Sequence, residues 1–357
     1  MEPTRPTPSL PVVENIGLDL HMRQSQLAIL TADGEVLELR VATTREALTR
    51  VLGPRPRARI LLEAGTESEW VAACLEGLGH EAIVADPNFA PMYATLSRKI
   101  KTDRRDALAL LDACRLGAYR PAHRTSAARR HVRAELAVRD ALVRTRARYI
   151  TLAKACIRRE GLRVAPGASD RFLGRLAGVP LPEALAGELA PLVALLGPLN
   201  REIAAADHRI ATLVARDPVM RCLMTAPGVG PVTAAAFVAT LDTITRFRSA
   251  AEVMAYLGLV PSEDSSAERR LRGAITKAGN GRTRWLLVEA AWGVLRSTRA
   301  DTADLKAWGE RLVLRRGKRV AAVALARRLA GILYAMWRDG TEYGAGRRSA
   351  ASAREAA

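Results

Sequence analysis

The stretch VVENIGLDLHMRQSQLAILTADGEVLELRVA, residues 12–42, decides the fold of the N-terminal part of the chain. It holds three apolar runs, and Asp33-Gly34 separates the second run from the third. Asp-Gly between two apolar runs is a strong signal of a β-hairpin. We therefore predict strands over 12–20, 25–31 and 36–42.

Helices and strands alternate after this hairpin. The pattern predicts a helix over 44–52, a strand over 59–64, a helix over 69–78, a strand over 81–85 and a helix over 102–116. Antiparallel strands followed by alternating helix and strand are the order of a ribonuclease-H-like α/β domain. We assign this domain to residues 12–125 and predict that the proline-rich lead, 1–11, is disordered.

Four acidic residues stand at the ends of these elements. Asp19 interrupts the first apolar strand, Glu63 closes the fourth strand, and Asp103 and Asp106 face the same side of a helix. Carboxylates that converge repel one another unless hard cations neutralise them, and Mg²⁺ accepts such an all-oxygen environment. Singly, each is more typical of a helix cap or a surface ion pair. Their combination predicts a metal site suited to phosphoryl transfer.

The middle of the chain carries two heptad patterns. Leu136, Val143, Ile150 and Ile157 recur every seven residues, and a second pattern runs over 196–213. They predict an antiparallel coiled-coil hairpin or an oligomerisation arm within 126–217. Its first helix is rich in arginine, which is typical either of nucleic-acid contact or of a solvated helix face.

Beyond this arm we predict a compact, mostly helical domain over 218–339 and a disordered tail over 340–357. The peptide TAPGVGPVTA, 225–234, contains the Gly-x-Gly of a helix-hairpin-helix element. Gly228 and Gly230 would let the backbone approach a phosphate, although Gly-x-Gly also makes ordinary turns.

A polar segment downstream contains Ser265 and Ser266. We predict a loop there, and the basic residues beside it are candidate nucleic-acid contacts: Arg269, Arg270, Arg272 and Lys277. A serine hydroxyl needs a base or a metal to attack phosphorus, and nearby cations would stabilise the developing charge. On chemistry alone, a solvated serine-rich turn is the simpler interpretation.

Composition narrows the class of protein. Lys and Arg total 55 against 37 Asp and Glu, which gives a net charge of +18, and 49% of residues are hydrophobic. Such a field attracts polyanions, above all nucleic acid, and the apolar content allows a large core. The four cysteines are far apart, so we expect a reducing cytoplasm and neither disulfides nor zinc. We find no signal peptide and predict no membrane-spanning segment.

Six segments together resemble the DEDD-type insertion-sequence transposases, the group that includes the Piv DNA invertases. The resemblance covers nearly the whole chain after the first dozen residues. The segments are Gly-Leu-Asp (17–19), Leu-Leu-Glu (61–63), Lys-Thr-Asp-Arg-Arg-Asp (101–106), Pro-Gly-Val-Gly-Pro (227–231), Leu-Gly-Leu-Val-Pro (257–261) and Ile-Thr-Lys-Ala-Gly-Asn (275–280).

The resemblance implies a RuvC-like domain with Mg²⁺ held by Asp19, Glu63, Asp103 and Asp106. It also implies a structured bridge RNA that pairs with donor and target DNA, in a bacterial, nucleoid-associated setting. Members of the group work as homo-oligomers, dimers or tetramers, in which acids and serine come from different subunits.

The resemblance further implies a C-terminal transposase domain whose serine attacks DNA and forms a phosphoserine link. That serine normally precedes a glycine. Ser266 takes its place here, with Ser265 beside it, whereas Ala267 replaces the glycine.

Three other functions fit parts of the sequence. Actin-like sugar kinases share the sheet order but need glycines after the first aspartate, where His21-Met22-Arg23 stands. A RuvC-like metal-dependent nuclease or junction resolvase would use the acids without the serine. A non-catalytic nucleic-acid-binding protein would need neither. We leave His21 out of the predicted site, because a histidine at a strand end is more often a surface residue.

Overall fold

A computed structural model of the chain describes residues 14–93, 102–266 and 269–344. The described residues form two compact units that divide between Arg124 and Thr125. The lead predicted to be disordered, 1–11, lies outside the described residues, as does most of the predicted tail. Residues 340–344 of that tail form a turn that packs back onto the domain, where the Tyr343 backbone N–H donates to Thr225 Oγ1 at 2.9 Å.

The first unit contains a five-stranded sheet with helices packed against it. Its elements are β1 Glu14–Asp19, β2 Gln24–Leu30, β3 Val36–Ala42, α1 Arg45–Leu52, β4 Ala58–Glu63, α2 Ser68–Gly77, β5 Glu81–Ala85 and α3 Asp103–Leu116. These bounds agree with the predicted ones to within one residue, except at the start of β1, where the predicted residues 12 and 13 lie outside the described part.

The sheet is mixed and has the strand order β3-β2-β1-β4-β5. The first three strands of the chain pair antiparallel, and β1, β4 and β5 run parallel. Gly17 lies in central β1, and a Cβ built on it would come within 2.1 Å of the Ala107 carbonyl oxygen on α3. The missing side chain therefore lets α3 rest directly on the backbone of β1.

The second unit begins with two long helices, α4 Ala127–Arg159 and α6 Glu183–Arg216, joined through the short helix α5 Phe172–Leu176. Contacts fix their direction, because rising residue numbers on α4 meet falling numbers on α6. Glu135 pairs with Arg209, Arg139 with Asp207, and Arg146 donates to Asn200. The predicted antiparallel helical hairpin is thus confirmed.

The remainder of the second unit is mostly helical, as predicted, and includes one β-ribbon. Its elements are α7 Pro218–Leu223, α8 Pro231–Leu241, α9 Ala250–Tyr256, β6 Pro261–Ser266, β7 Arg269–Ile275, α10 Gly281–Arg296, α11 Ala303–Arg316 and α12 Lys318–Asp339. Helix α8 is the centre of the core, since every residue from Thr233 to Leu241 is buried.

The loop predicted around the serines was wrong, because Ser265 and Ser266 end strand β6. Opposite them on β7 lie Arg270 and Arg269, in an antiparallel register. The segment SEDSSAERR, 262–270, lacks the alternation of apolar and polar residues by which strands are recognised in sequence. The hydrogen bonds of the ribbon, which composition does not reveal, make this segment a strand.

Two helices, α6 and α12, are long and apolar enough to span a membrane by length and composition, which the search for apolar runs missed. Both pack within the helical unit, however: Ile203 and Ile210 of α6 are buried, as are Leu325 and Leu329 of α12. Core helices pass the same test of length and hydropathy, so this is weak support for a membrane span.

Candidate active site

The four predicted acids come from three neighbouring elements of the first unit. Asp19 ends β1 and Glu63 ends β4, and these two strands are adjacent and parallel. Ends of adjacent parallel strands meet at the same edge of a sheet. Asp103 and Asp106 occupy the first turn of α3, which Thr102 caps by accepting a hydrogen bond from the Arg105 backbone N–H.

Two of the acids share a histidine. His21 Nε2 lies 3.2 Å from Asp19 Oδ2 and 3.5 Å from Asp103 Oδ1. One ligand atom from each of these three residues falls within 4.8 Å of the others, which is close enough for one metal ion. Arg40 contacts Asp103 from the outer side at 3.9 Å. The structure thus places His21, which the sequence analysis left out of the site, in contact with two candidate ligands, although its side chain is 55% exposed.

Asp19 is the most perturbed of these groups. Its side chain is 11% exposed, and Oδ2 has no partner among the described residues besides the 3.2 Å contact with His21 Nε2, which does not have the geometry of a hydrogen bond. Burial raises the pKa of Asp19 to about 6; His21 opposes this rise, and the charges of Asp106, Asp103 and Glu63 add to it. The other three acids therefore act electrostatically on Asp19.

Glu63 has a partner that the sequence did not reveal. The Tyr93 hydroxyl, at the end of a short 3-10 turn over Ala90–Tyr93, donates a hydrogen bond to Glu63 Oε1. Burial and this hydrogen bond raise the pKa of Tyr93, and the charges of Glu63, Asp106 and Asp19 raise it further. Tyr93 gives no sequence signal, because an aromatic residue after a strand is an ordinary packing residue.

These donors fit a hard divalent cation. A buried carboxylate oxygen without a hydrogen bond is costly unless something else compensates its charge. The neighbouring acids make that cost larger, and a cation among them would remove it. Carboxylate oxygens are also the ligands that hard cations prefer.

The glycines of the second unit have different surroundings. Gly228 has a φ of +77°, and a Cβ there would lie 2.5 Å from the Ala290 carbonyl oxygen on α10, so packing alone requires a glycine. Gly230 caps α8 and borders open space. Both line a groove of about 340 Å³ that also contains Ser297 and Arg299. Only Gly230 leaves room for an approaching ligand.

The serines and their neighbouring cations lie on one ribbon. Ser266 is opposite Arg269 and Ser265 is opposite Arg270, while Arg272 is opposite Glu263. Lys277 follows at the base of the ribbon, where its backbone N–H donates to the Gly258 carbonyl at 3.2 Å and its φ is +56°. The backbone thus places the predicted basic residues on the strand that pairs with the serine strand, or shortly after it.

Most arginines of α4 are occupied within the protein. Seven arginines lie between residues 129 and 148; six of them bond to other described residues, and Arg148 is exposed. The six contacts are Arg129 to Asp217, Arg130 to Thr125, Arg133 to Ala239 and Thr240, Arg139 to Asp207, Arg144 to Asp140 and Arg146 to Asn200. The basic character of this helix is therefore largely structural.

Models of transposase families match parts of both units. Residues 16–159 match the DEDD transposase model of the IS110 type, and residues 220–306 match the model described as "Transposase IS116/IS110/IS902 family". A "Probable family 20 transposase" of Pseudomonas aeruginosa is 30% identical, over 91% of this chain and 96% of the relative. The chain belongs to the IS116/IS110/IS902 family of transposases. This confirms the predicted insertion-sequence transposase with a DEDD domain.

Other related transposases also align with nearly the whole of this chain. The transposase for insertion sequence element IS1111A of Coxiella burnetii is 27% identical over 92% of this chain and 90% of the relative. That for IS1328 of Yersinia enterocolitica is 27% identical over 94% and 99%. As an insertion-sequence transposase, the chain is an enzyme that acts on DNA. The candidate acids lie in the first matched region, and the candidate glycines, serines and basic residues lie in the second.

Proposed function

We propose that this transposase is a Piv-like serine recombinase whose RuvC-like, ribonuclease-H-like domain holds Mg²⁺ through Asp19, Glu63, Asp103 and Asp106. The observation that carries the proposal is the buried Asp19 oxygen, whose one contact among the described residues is His21; burial, with the charges of the neighbouring acids, raises the pKa of this carboxyl to about 6. A protein that has only to bind DNA has no use for such a charge, which lowers its affinity for a polyanion.

Each residue of the centre has a defined task. Asp19 and Asp103 supply oxygens on the two sides of His21, and Tyr93 holds the Glu63 carboxylate in one orientation. The metal, when bound, would supply charge neutralisation for a reacting phosphodiester and assist its nucleophile. Binding of the phosphate near these acids would otherwise be repulsive.

The nucleophile in this proposal is Ser266, with Ser265 as the alternative. The serine oxygen forms a bond to phosphorus while one phosphorus–deoxyribose oxygen bond breaks, and the hydroxyl proton ends on the released deoxyribose hydroxyl. Attack by a deoxyribose hydroxyl of another strand reverses these changes and frees the serine. The number of phosphodiester bonds is conserved, so no energy source is required. Arg269, Arg270, Arg272 and Lys277, which lie on or beside the same ribbon, would stabilise the phosphate charge, and Gly230 would admit the DNA backbone.

The partners in this proposal are donor and target DNA, a bridge RNA and further copies of the chain. The net charge of +18 favours nucleic acid, and the α4–α6 hairpin provides an arm for a dimer or tetramer. The reaction would take place in the bacterial cytoplasm at the nucleoid.

A denaturing gel tests the reaction. The protein, the RNA of its element and a cognate DNA are incubated with Mg²⁺, and covalent protein–DNA complexes are sought. Asp19→Asn, Ser266→Ala and Ser265→Ala are run beside the unaltered chain. Ser262→Ala is the matched control, because Ser262 lies on the same strand and its Oγ donates to the Ala274 carbonyl at 3.0 Å.

We expect a covalent band that is lost in Asp19→Asn and Ser266→Ala and retained in the other two variants. Loss of the covalent band in Ser265→Ala instead of Ser266→Ala would identify Ser265 as the nucleophile. DNA that is nicked in an Asp19-dependent way without a covalent band would refute the serine step and leave a metal-dependent nuclease. If DNA is bound equally well with Mg²⁺ and with EDTA and is cleaved in neither, both the serine step and the metal-dependent cleavage are refuted.

A further inference from the structure

The loop between α11 and α12 carries a concentration of positive charge. Eight basic residues and no acidic residue lie between Arg311 and Arg338. Five of them surround the loop and form what we call the tip cluster: Arg311, Arg315, Arg316, Lys318 and Arg319. All five are exposed, and Gly317 turns the chain between the two helices with a φ of +81°.

The side chains of the tip cluster make no polar contact with the described part of the chain. Within 14–93, 102–266 and 269–344, none of the five takes part in an ion pair, a side-chain hydrogen bond or a stacking contact. The other three cations of α12 are engaged: Arg327 with Met254, Arg328 with the Trp308 ring and Arg338 with Asp339. The cations of α12 that contact other residues are therefore distinct from those of the tip cluster. Helix α4 shows the same division, because most of its arginines contact other residues and Arg148 is exposed.

The start of α12 adds a second feature that favours an anion. This helix has 22 residues, and its N-cap, Gly317, offers no side chain to the first backbone N–H groups. The N-terminus of a helix carries partial positive charge and N–H donors that point outward, a combination that binds phosphate. The uncapped end and the tip cluster occupy the same loop.

We propose that the tip cluster binds the phosphodiester backbone of a nucleic-acid double helix, without reading its sequence. The surface lies beyond residues 220–306, the second region matched by the family, and it contains none of the candidate acids or serines. The proposal uses the fact that the transposase acts on DNA, and it depends neither on the metal nor on the serine.

The composition of the tip decides between a duplex and a single strand. Proteins that bind single strands stack the bases on aromatic side chains, and residues 309–333 contain none. Arg311 and Arg315 are one helical turn apart, and side chains at this spacing are about 5–6 Å from each other. Such a row of point charges suits successive phosphates of a backbone.

A binding assay in EDTA tests this surface without catalysis. The affinity of the full chain for a 30-base-pair DNA duplex is measured by fluorescence anisotropy across a series of salt concentrations. The test variant combines Arg315→Gln, Arg316→Gln, Lys318→Gln and Arg319→Gln, which suit an exposed helix. The matched control replaces four exposed arginines, without described partners, elsewhere in the second unit: Arg148, Arg159, Arg201 and Arg216.

We expect the test variant to bind at least about tenfold more weakly, with a salt slope reduced by about 3 to 4, one contact for each lost cation. The control should change much less. A third variant, with lysine at positions 315, 316 and 319, should retain binding, because phosphates accept any point charge. Unchanged melting temperatures would show that all variants fold. A second arm with an RNA duplex of the same sequence shows which nucleic acid the cluster prefers.

Equal losses from the test and control sets would mean that binding follows net charge, and would overturn the proposal. So would unchanged DNA and RNA affinity together with an altered oligomeric state on size-exclusion chromatography, which would assign the tip to a protein interface. Failure of the gel assay for the covalent intermediate would leave this result untouched.

Discussion

Replacing Asp19 by Asn should stabilise the metal-free protein while it removes a candidate metal ligand. The pKa of Asp19 rises from 3.8 to about 6 because the carboxyl is buried among acids. The folded state therefore binds this proton more tightly than the unfolded state does. The stability that this proton contributes is fully present below pH 3.8 and is lost as the pH rises through about 6.

The pKa difference sets an upper limit to the effect. One pKa unit corresponds to 1.36 kcal/mol, so ionised Asp19 costs up to about 3 kcal/mol above pH 7. Its side chain is only 11% exposed, so solvent screening removes little of this cost. Asparagine cannot ionise and escapes the cost at every pH. We expect Asp19→Asn to be more stable by up to about 3 kcal/mol at pH 7.5, and the gain to fall towards zero near pH 4.

Thermal melting in EDTA at pH 4 and pH 7.5 measures this difference. Asp112→Asn is the matched control, because Asp112 is a half-buried acid on α3 that contacts Arg115 at 3.9 Å. Addition of Mg²⁺ at pH 7.5 should then raise the melting temperature of the unaltered chain, and far less that of Asp19→Asn, since a ligand stabilises only the state that binds it. A variant less stable than the parent at pH 7.5, or a gain that does not change with pH, would refute the electrostatic reasoning.

Two further substitutions test the surroundings of the acids. Tyr93→Phe removes the donor to Glu63, and a hydrogen bond to a charged group contributes about 1.5–3 kcal/mol. We therefore expect Mg²⁺ affinity in isothermal titration calorimetry to fall about tenfold at an unchanged melting temperature. Unchanged affinity would show that Tyr93 does not position Glu63 as a ligand. Gly17→Ala places a Cβ 2.1 Å from the Ala107 carbonyl oxygen, and we expect urea-induced unfolding to show that the first unit is less stable by more than about 2 kcal/mol. Gly77→Ala is the control, because the space around Gly77 is open, and it should not have this effect. Equal losses of stability in the two variants would contradict the packing argument.

The sequence predicts the first unit well because its signals are local. Alternating apolar runs and the Asp-Gly turn locate the strands, and the acids stand at strand ends, where side chains of neighbouring elements converge. The sequence did not predict the role of Tyr93, because that role depends on a hydrogen bond to a residue thirty positions away. No local pattern distinguishes such a tyrosine from one that only packs.

The second unit shows where local signals fail. The sequence around Ser266 is polar without alternation, so it has the pattern of a loop. The arginines of α4 suggested a surface for nucleic acid, but whether a charge is free depends on long-range partners such as Asp217 and Asp207. Heptad spacing did predict the helical hairpin, because it reports directly on which face is buried.

The contact between Gly17 and α3 bears on how this protein can diverge in evolution. The distance between β1 and α3, and with it the spacing of Asp19 from Asp103 and Asp106, depends on main-chain atoms in contact rather than on the sizes of interlocking side chains. Core side chains elsewhere in the sheet can change while the carboxylates keep their places. Relatives with only 27–30% identity can therefore carry the same arrangement of acids, provided that the position of Gly17 stays empty.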